Sequence, residues 1–222
     1  MTPMMRQRSL PLPRRQALAG MALAALGATA CVPAIFQAPQ PTTGTKAAGL
    51  RAVLNTVLQE HVYLAAIATG AALGGREAEF KAAAEALDGN SVDFARTIGS
   101  IYGAETERTF LDSWRSHIAM FVDYTVGVAA QDKAKQEKAV KDLLQYAQDF
   151  GGFLSRAAGL PKETATDLVK THILTLKEVV DAQAARDPLK AFAALRKAAG
   201  HMKMLADPLA EAIVKKFPEK FS

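Results

Sequence analysis

Trp114-Arg115-Ser116-His117-Ile118-Ala119-Met120-Phe121-Val122-Asp123-Tyr124 puts an imidazole among apolar neighbours. With its flanks the stretch carries Phe110, Trp114, His117, Phe121, Tyr124 and Val128 at steps of four, three, four, three and four, the spacing of residues that share one helical face. His117 therefore points where the hydrophobic side chains point. The same holds for the chain's other three histidines. His61 falls in the series Leu50, Leu54, Val57, His61, Leu64, Ala68 and Ala71; His172 falls in Ala165, Leu168, His172, Thr175, Val179 and Ala182. His201 falls in Ala194, Ala198, His201, Leu205, Pro208 and Ala212.

Extending this rhythm outward predicts six helices, over 47–73, 76–102, 104–130, 133–158, 161–185 and 188–217. Gly74-Gly75, Gly103 and Gly159-Leu160-Pro161 punctuate them, as left-handed stops and a first-turn proline do. Gly89 weakens the second helix by about 1 kcal/mol relative to Ala, and Pro208 is expected to kink the sixth near Met204. The fold class is all-α: a six-helix up-and-down bundle, ferritin-like or related to four-helix bundles, forming one domain over 47–218. Helices two and three resemble helices four and five, since Asp93-Phe94 precedes Gly103 as Asp149-Phe150 precedes Gly159. Pairing Glu60-His61-Val62-Tyr63-Leu64 with Gly200-His201-Met202-Lys203-Met204 extends this to a pseudo-twofold repeat, with His61 and His117 in one half and His201 and His172 in the other.

The formal charge of +5 comes from the amino-terminal segment. Arg6, Arg8, Arg14 and Arg15 lie among the first 30 residues with no acid, and the remainder carries 23 basic and 22 acidic residues. Nothing in that balance points to nucleic acid. Residues 1–30 read as an export signal: an arginine-bearing head, then an apolar run from Ala17 to Ala30 of about 14 residues, short of the ~20 that span a bilayer. Arg14-Arg15 resembles a twin-arginine signal, although Pro13 and Ala17 depart from its usual neighbours; an ordinary secretory signal fits as well. Ala28-Thr29-Ala30-Cys31 resembles a bacterial lipobox, with Cys31 as the lipidated residue, and also fits simple signal-peptidase cleavage. Residues 31–46, with Pro33, Pro39 and Pro41, read as an extended tether. The expected location is exported, periplasmic or otherwise extracytoplasmic, with a lipid anchor as the membrane contact; a protein partner is left open. A lone cysteine excludes an internal disulfide, a thiolate metal cluster and a Cys-x-x-Cys-His haem attachment.

Four imidazoles on four different helices suit a site assembled across a bundle, and neutral imidazole suits copper, zinc, iron and nickel. A di-iron carboxylate centre is disfavoured, because the residues three before the histidines are Leu58, Trp114, Val169 and Ala198 rather than glutamates. Met120 and Met204 each follow a histidine by three residues, which would add a soft thioether and favour copper; methionine is equally the common filler of cores. Asp93, Asp123, Asp149 and Tyr124 are candidate supports for an imidazole N–H, or else surface and packing residues. Haem has less support, with few aromatics to cradle it. No Gly-x-Ser-x-Gly, phosphate loop, dinucleotide fingerprint or calcium loop is present.

The segments Glu60-His61-Val62-Tyr63-Leu64-Ala65, Trp114-Arg115-Ser116-His117-Ile118 with Phe121-Val122-Asp123-Tyr124, and Gly200-His201-Met202-Lys203-Met204 with Phe217-Pro218 resemble an exported bacterial all-helical domain. Some of its members carry a copper amine oxidase label that belongs to a different, attached domain. The resemblance implies a helical fold and export, and no activity or site residue. Two expectations follow from the sequence: a transition-metal binder using His61, His117, His172 and His201, copper or zinc; and, against it, a metal-free scaffold or interaction lipoprotein whose histidines are buried and hydrogen-bonded. A redox or hydrolytic metalloenzyme is a third, weaker class.

Overall fold

A computed structural model describes residues 42–222, so the expected export signal, Cys31 and nearly all of the tether lie outside the described residues. Thr42–Gly44 forms a single 3-10 turn, and Thr45 then caps the first helix by accepting from Ala48 N at 3.1 Å. Seven helices follow: α1 (Lys46–Leu73), α2 (Glu77–Tyr102), α3 (Ala104–Ala129), α4 (Lys133–Ala158), α5 (Lys162–Ala184), α6 (Pro188–Lys216) and a one-turn α7 (Pro218–Phe221). The first six match the predicted ranges to within a residue. The seventh is too short for periodicity to reveal. α2 passes through Gly89 unbroken, and α6 continues through Pro208, leaving the carbonyl of the exposed Met204 without its usual amide partner. Among the described residues, no helix is long and apolar enough to cross a membrane.

Connections of one to three residues force sequence neighbours to lie antiparallel. Each helix packs on the next, and α6 returns to α1, closing the ring; α1, α3 and α5, which run the same way, also touch one another inside it. Three of the five turns between the long helices are built alike. At Gly75, Gln131 and Arg186 the backbone is left-handed, with φ of 68°, 55° and 54°. The next residue in each case, Arg76, Asp132 or Asp187, donates its amide back to Ala71, Gly127 or Ala182 at 2.9, 2.8 and 3.0 Å. This is the Schellman closure of a helix end, repeated three times. Asp132 and Asp187 then cap α4 and α6 through Lys135 N and Lys190 N, each at 3.0 Å.

The recurring unit is thus a hairpin, α1–α2, α3–α4 and α5–α6, and the count is three rather than two. His61, His117 and His172 each lie 14 residues before the left-handed turn residue of their own hairpin. At 1.5 Å per residue, this sets all three roughly 21 Å from the same end of the bundle. The expected match of α2–α3 with α4–α5 is what such a series produces when read out of frame. The looser pairing of His61 with His201 does not hold, because α1 corresponds to α3 and α5, and His201 belongs to an outer helix.

The core is continuous across all six long helices. Its aromatic floor is Phe94, Phe110, Trp114 and Phe150, with ring centroids 4.7 Å apart for Phe94–Phe110 and 5.0 Å for Phe94–Trp114. Gly151 lets α4 close on α5: a Cβ there would run into the Thr166 hydroxyl and lie 2.8 Å from its backbone. Ion pairs fasten the outside, Arg51 of α1 holding Asp207 of α6 and Arg115 of α3 holding Asp88 of α2, each through two hydrogen bonds.

Candidate metal centre

His61, His117 and His172 meet in the interior, above Trp114. His61 and His117 are each 1 % exposed and His172 is 5 % exposed. Ring centroids lie 5.3 Å apart for His61–His117, 5.6 Å for His61–His172 and 6.4 Å for His117–His172. One nitrogen from each ring can be chosen so that all three lie within 4.8 Å of one another. None of the six ring nitrogens has a hydrogen-bond partner. That is costly, since a buried polar group without a partner destabilises a fold by about 1–3 kcal/mol.

Aromatic rings hold the cluster in place. Trp114 stands edge-on to His117 at 4.5 Å and lies 4.9 Å from His61, while Tyr146 of α4 stacks on His117 at 5.0 Å. The Trp114 indole N–H and the Tyr146 hydroxyl are also buried and unpartnered, and burial pushes the Tyr146 phenol well above its ordinary pKa. Burial likewise keeps the imidazoles neutral. It holds His117 down to about 3, with His172 adding to the effect and the nearby Trp114 carbonyl, which falls outside hydrogen-bonding geometry, opposing it. His61 and His172 fall well below their usual value for the same first reason, with neighbouring histidines, His117 for the one and His61 and His201 for the other, contributing. Neutral imidazole is the form that ligates a metal.

The other expected site residues lie elsewhere. His201 is half-buried and its Nε2 is 2.8 Å from the Leu168 carbonyl, one turn from His172. It is bonded to the protein and does not join the cluster. Met204 is 58 % exposed, and Met120 is partly buried at the margin of the core. Asp93, Asp123 and Asp149 are at the surface, beside Arg96, Lys135 and Gln145 respectively. Tyr124 is buried but its hydroxyl donates to Asp181, which also accepts from Lys177. Among the described residues, no carboxylate or thiolate joins the three histidines.

Three residues about the cluster, Trp114, Tyr146 and Met202, are not among the candidate site residues that the sequence offers. Met202, 1 % exposed, lines an apolar cavity of about 40 Å³ together with His117, His172, Trp114 and Tyr146. The signal was present in α6, where Met202, Leu205, Leu209 and Ile213 form a bulkier three-four series than the one through His201.

The fold and the site define a class, an all-helical hairpin bundle with a buried three-histidine cluster. No family model matches the chain, and no curated protein or solved structure is significantly similar to it.

Proposed function

We propose that this protein is an exported, lipid-tethered helical bundle that binds one transition-metal ion, copper or zinc, through His61, His117 and His172. The observation that carries the reading is the convergence of three buried imidazoles with every ring nitrogen unpartnered. Protein interiors satisfy buried polar groups, and an unmet set of three on one spot calls for a guest. The fit is close. With the three nitrogens within 4.8 Å of one another, a point between them lies at most about 2.8 Å from each, against the ~2.0–2.1 Å of a metal–imidazole bond, so each ring needs to close by no more than roughly 0.8 Å. Small rotations about the side-chain torsions cover that distance. Three histidines leave a fourth coordination position open, and the reading assigns no catalytic residue.

The tether through Cys31 and the periplasmic address rest on the amino-terminal sequence, with its arginine head, short apolar run and lipobox-like Ala28-Thr29-Ala30-Cys31. His201 is left out of the ligand set because the Leu168 carbonyl already serves it.

Purified protein dialysed against copper or zinc is expected to retain about one ion per chain, and His117→Ala with His172→Ala is expected to retain less than about 0.2, measured by mass spectrometry. His201→Ala should bind as the parent does. Retention by the double variant equal to the parent, with its helical circular dichroism intact, would sink the metal reading in favour of the scaffold.

A further inference from the structure

A second cavity reaches the same histidines from outside. It lies between α1, α2 and α3, has a volume of about 270 Å³, and ends on His61 and His117. Its mouth is formed by exposed residues, including Val122, at 43 %, and Val126, at 46 %. Inside it, Ala65, Ala68, Leu87 and Phe121 present hydrocarbon. The two threonines on its wall are already satisfied: Thr69 Oγ1 donates to its own helix at 3.0 Å and Thr125 Oγ1 donates to Phe121 O at 2.8 Å. What remains polar and unpartnered in this chamber is the pair of imidazoles at its inner end.

The chamber and the donor set together narrow the guest. Neutral imidazoles bring no charge and no acid joins them, so the ion's own charge stands uncompensated in an apolar core. Because the cost of desolvating an ion grows with the square of its charge, a monovalent ion suffers roughly a quarter of the penalty of a divalent one. Met202, buried, lines the interior cavity that also takes in His117 and His172, and its soft thioether again suits Cu(I). A hydrated ion or polar solute loses its water on entering such a passage and finds nothing in exchange. A small neutral molecule loses little.

Resting on the metal reading above, we infer that the centre holds Cu(I) and that the chamber between α1, α2 and α3 leads a small, neutral, apolar ligand to the open coordination position. Such a ligand has the chemistry of carbon monoxide or a short alkene: an electron pair for the metal and no charge. Binding is reversible ligation, with no electron transferred.

The test uses the full chain loaded anaerobically with Cu(I) and probed with carbon monoxide. One carbonyl stretching band per bound copper is expected in the infrared. Ala68→Leu, which fills the chamber, should slow carbon monoxide rebinding after photolysis by about tenfold or more while leaving the copper content unchanged. Val126→Phe plugs the mouth from an exposed position, so it folds even if the buried substitution does not, and should slow rebinding likewise. Copper retained without a carbonyl band overturns the chamber inference and leaves the metal reading standing. Unchanged rebinding in Val126→Phe overturns the route. Zn(II) held as firmly as Cu(I) overturns the monovalent assignment, and no metal retained at all overturns both readings.

Discussion

Two polar layers lie seven residues apart along α3, and they are treated in opposite ways. Around Tyr124 the bundle interior is fully paired, with the phenol donating to Asp181 of α5 and Lys177 bonding the same carboxylate at 2.6 Å. Around His117, on the same two helices with α1 added, three imidazoles are packed together with no hydrogen-bond partner. The bundle therefore has the means to satisfy a buried polar group between α3 and α5, and uses them at one level only. On the metal reading proposed above, the difference separates a structural polar contact from a donor set held for an ion.

The largest effect expected from this contrast is on acid stability. Each cluster imidazole has a depressed pKa in the folded chain, so the unfolded chain takes up protons first. Stability is then complete above about pH 6.5 and falls by about 4 kcal/mol per pH unit below pH 6, three groups at ~1.4 each, until the folded rings themselves titrate. Urea unfolding at pH 7, 6 and 5 on metal-free protein checks this, and a flat profile would show the rings to be partnered in solution. A metal ion reverses the weakness. At a free concentration a hundredfold above its dissociation constant it adds about 2.7 kcal/mol, which raises the melting temperature by roughly 5–10 °C and vanishes with a chelator.

Single substitutions should then move the two layers in opposite directions. His172→Leu replaces an unpartnered group by an apolar one of similar size and is expected to raise metal-free stability at pH 7 by about 1–2 kcal/mol while abolishing metal retention. Tyr124→Phe is expected to lower stability by about 1–2 kcal/mol in the same denaturant titration, with metal retention untouched. If both variants destabilise alike, the two layers are energetically equivalent and the contrast is lost. The smallest effect belongs to His201→Ala, which gives up one half-buried hydrogen bond, about 1 kcal/mol, and leaves metal retention unchanged.

The helices were legible because their stripes are long and their ends carry glycine, proline or a capping aspartate; the boundaries at 133–158 are identical to those predicted. The histidine convergence was legible only as a shared face. Periodicity tells which side of a helix a residue lies on, but one residue is about 100° of rotation, and that is the error made in α6. The buried series there runs through Ala198, Met202, Leu205, Leu209 and Ile213, which carries His201 to the margin and Met204 into solvent. The threefold order was hidden for a different reason. Two of its three left-handed turn residues are Gln131 and Arg186, where a sequence reader looks for glycine. Asp93 and Asp149 failed as supports because their spacing from phenylalanine and glycine marked a repeat position on the outer surface, which carries no information about depth.

One ligand from each hairpin has a further consequence. Neither a single hairpin nor any two of them hold the full donor set, so an ion lodged at this spot vouches for a ring that has closed all the way round. A chain still lacking α5 and α6 offers such an ion two donors of the three, and on the metal reading full occupancy becomes a certificate of completed assembly issued by the molecule itself.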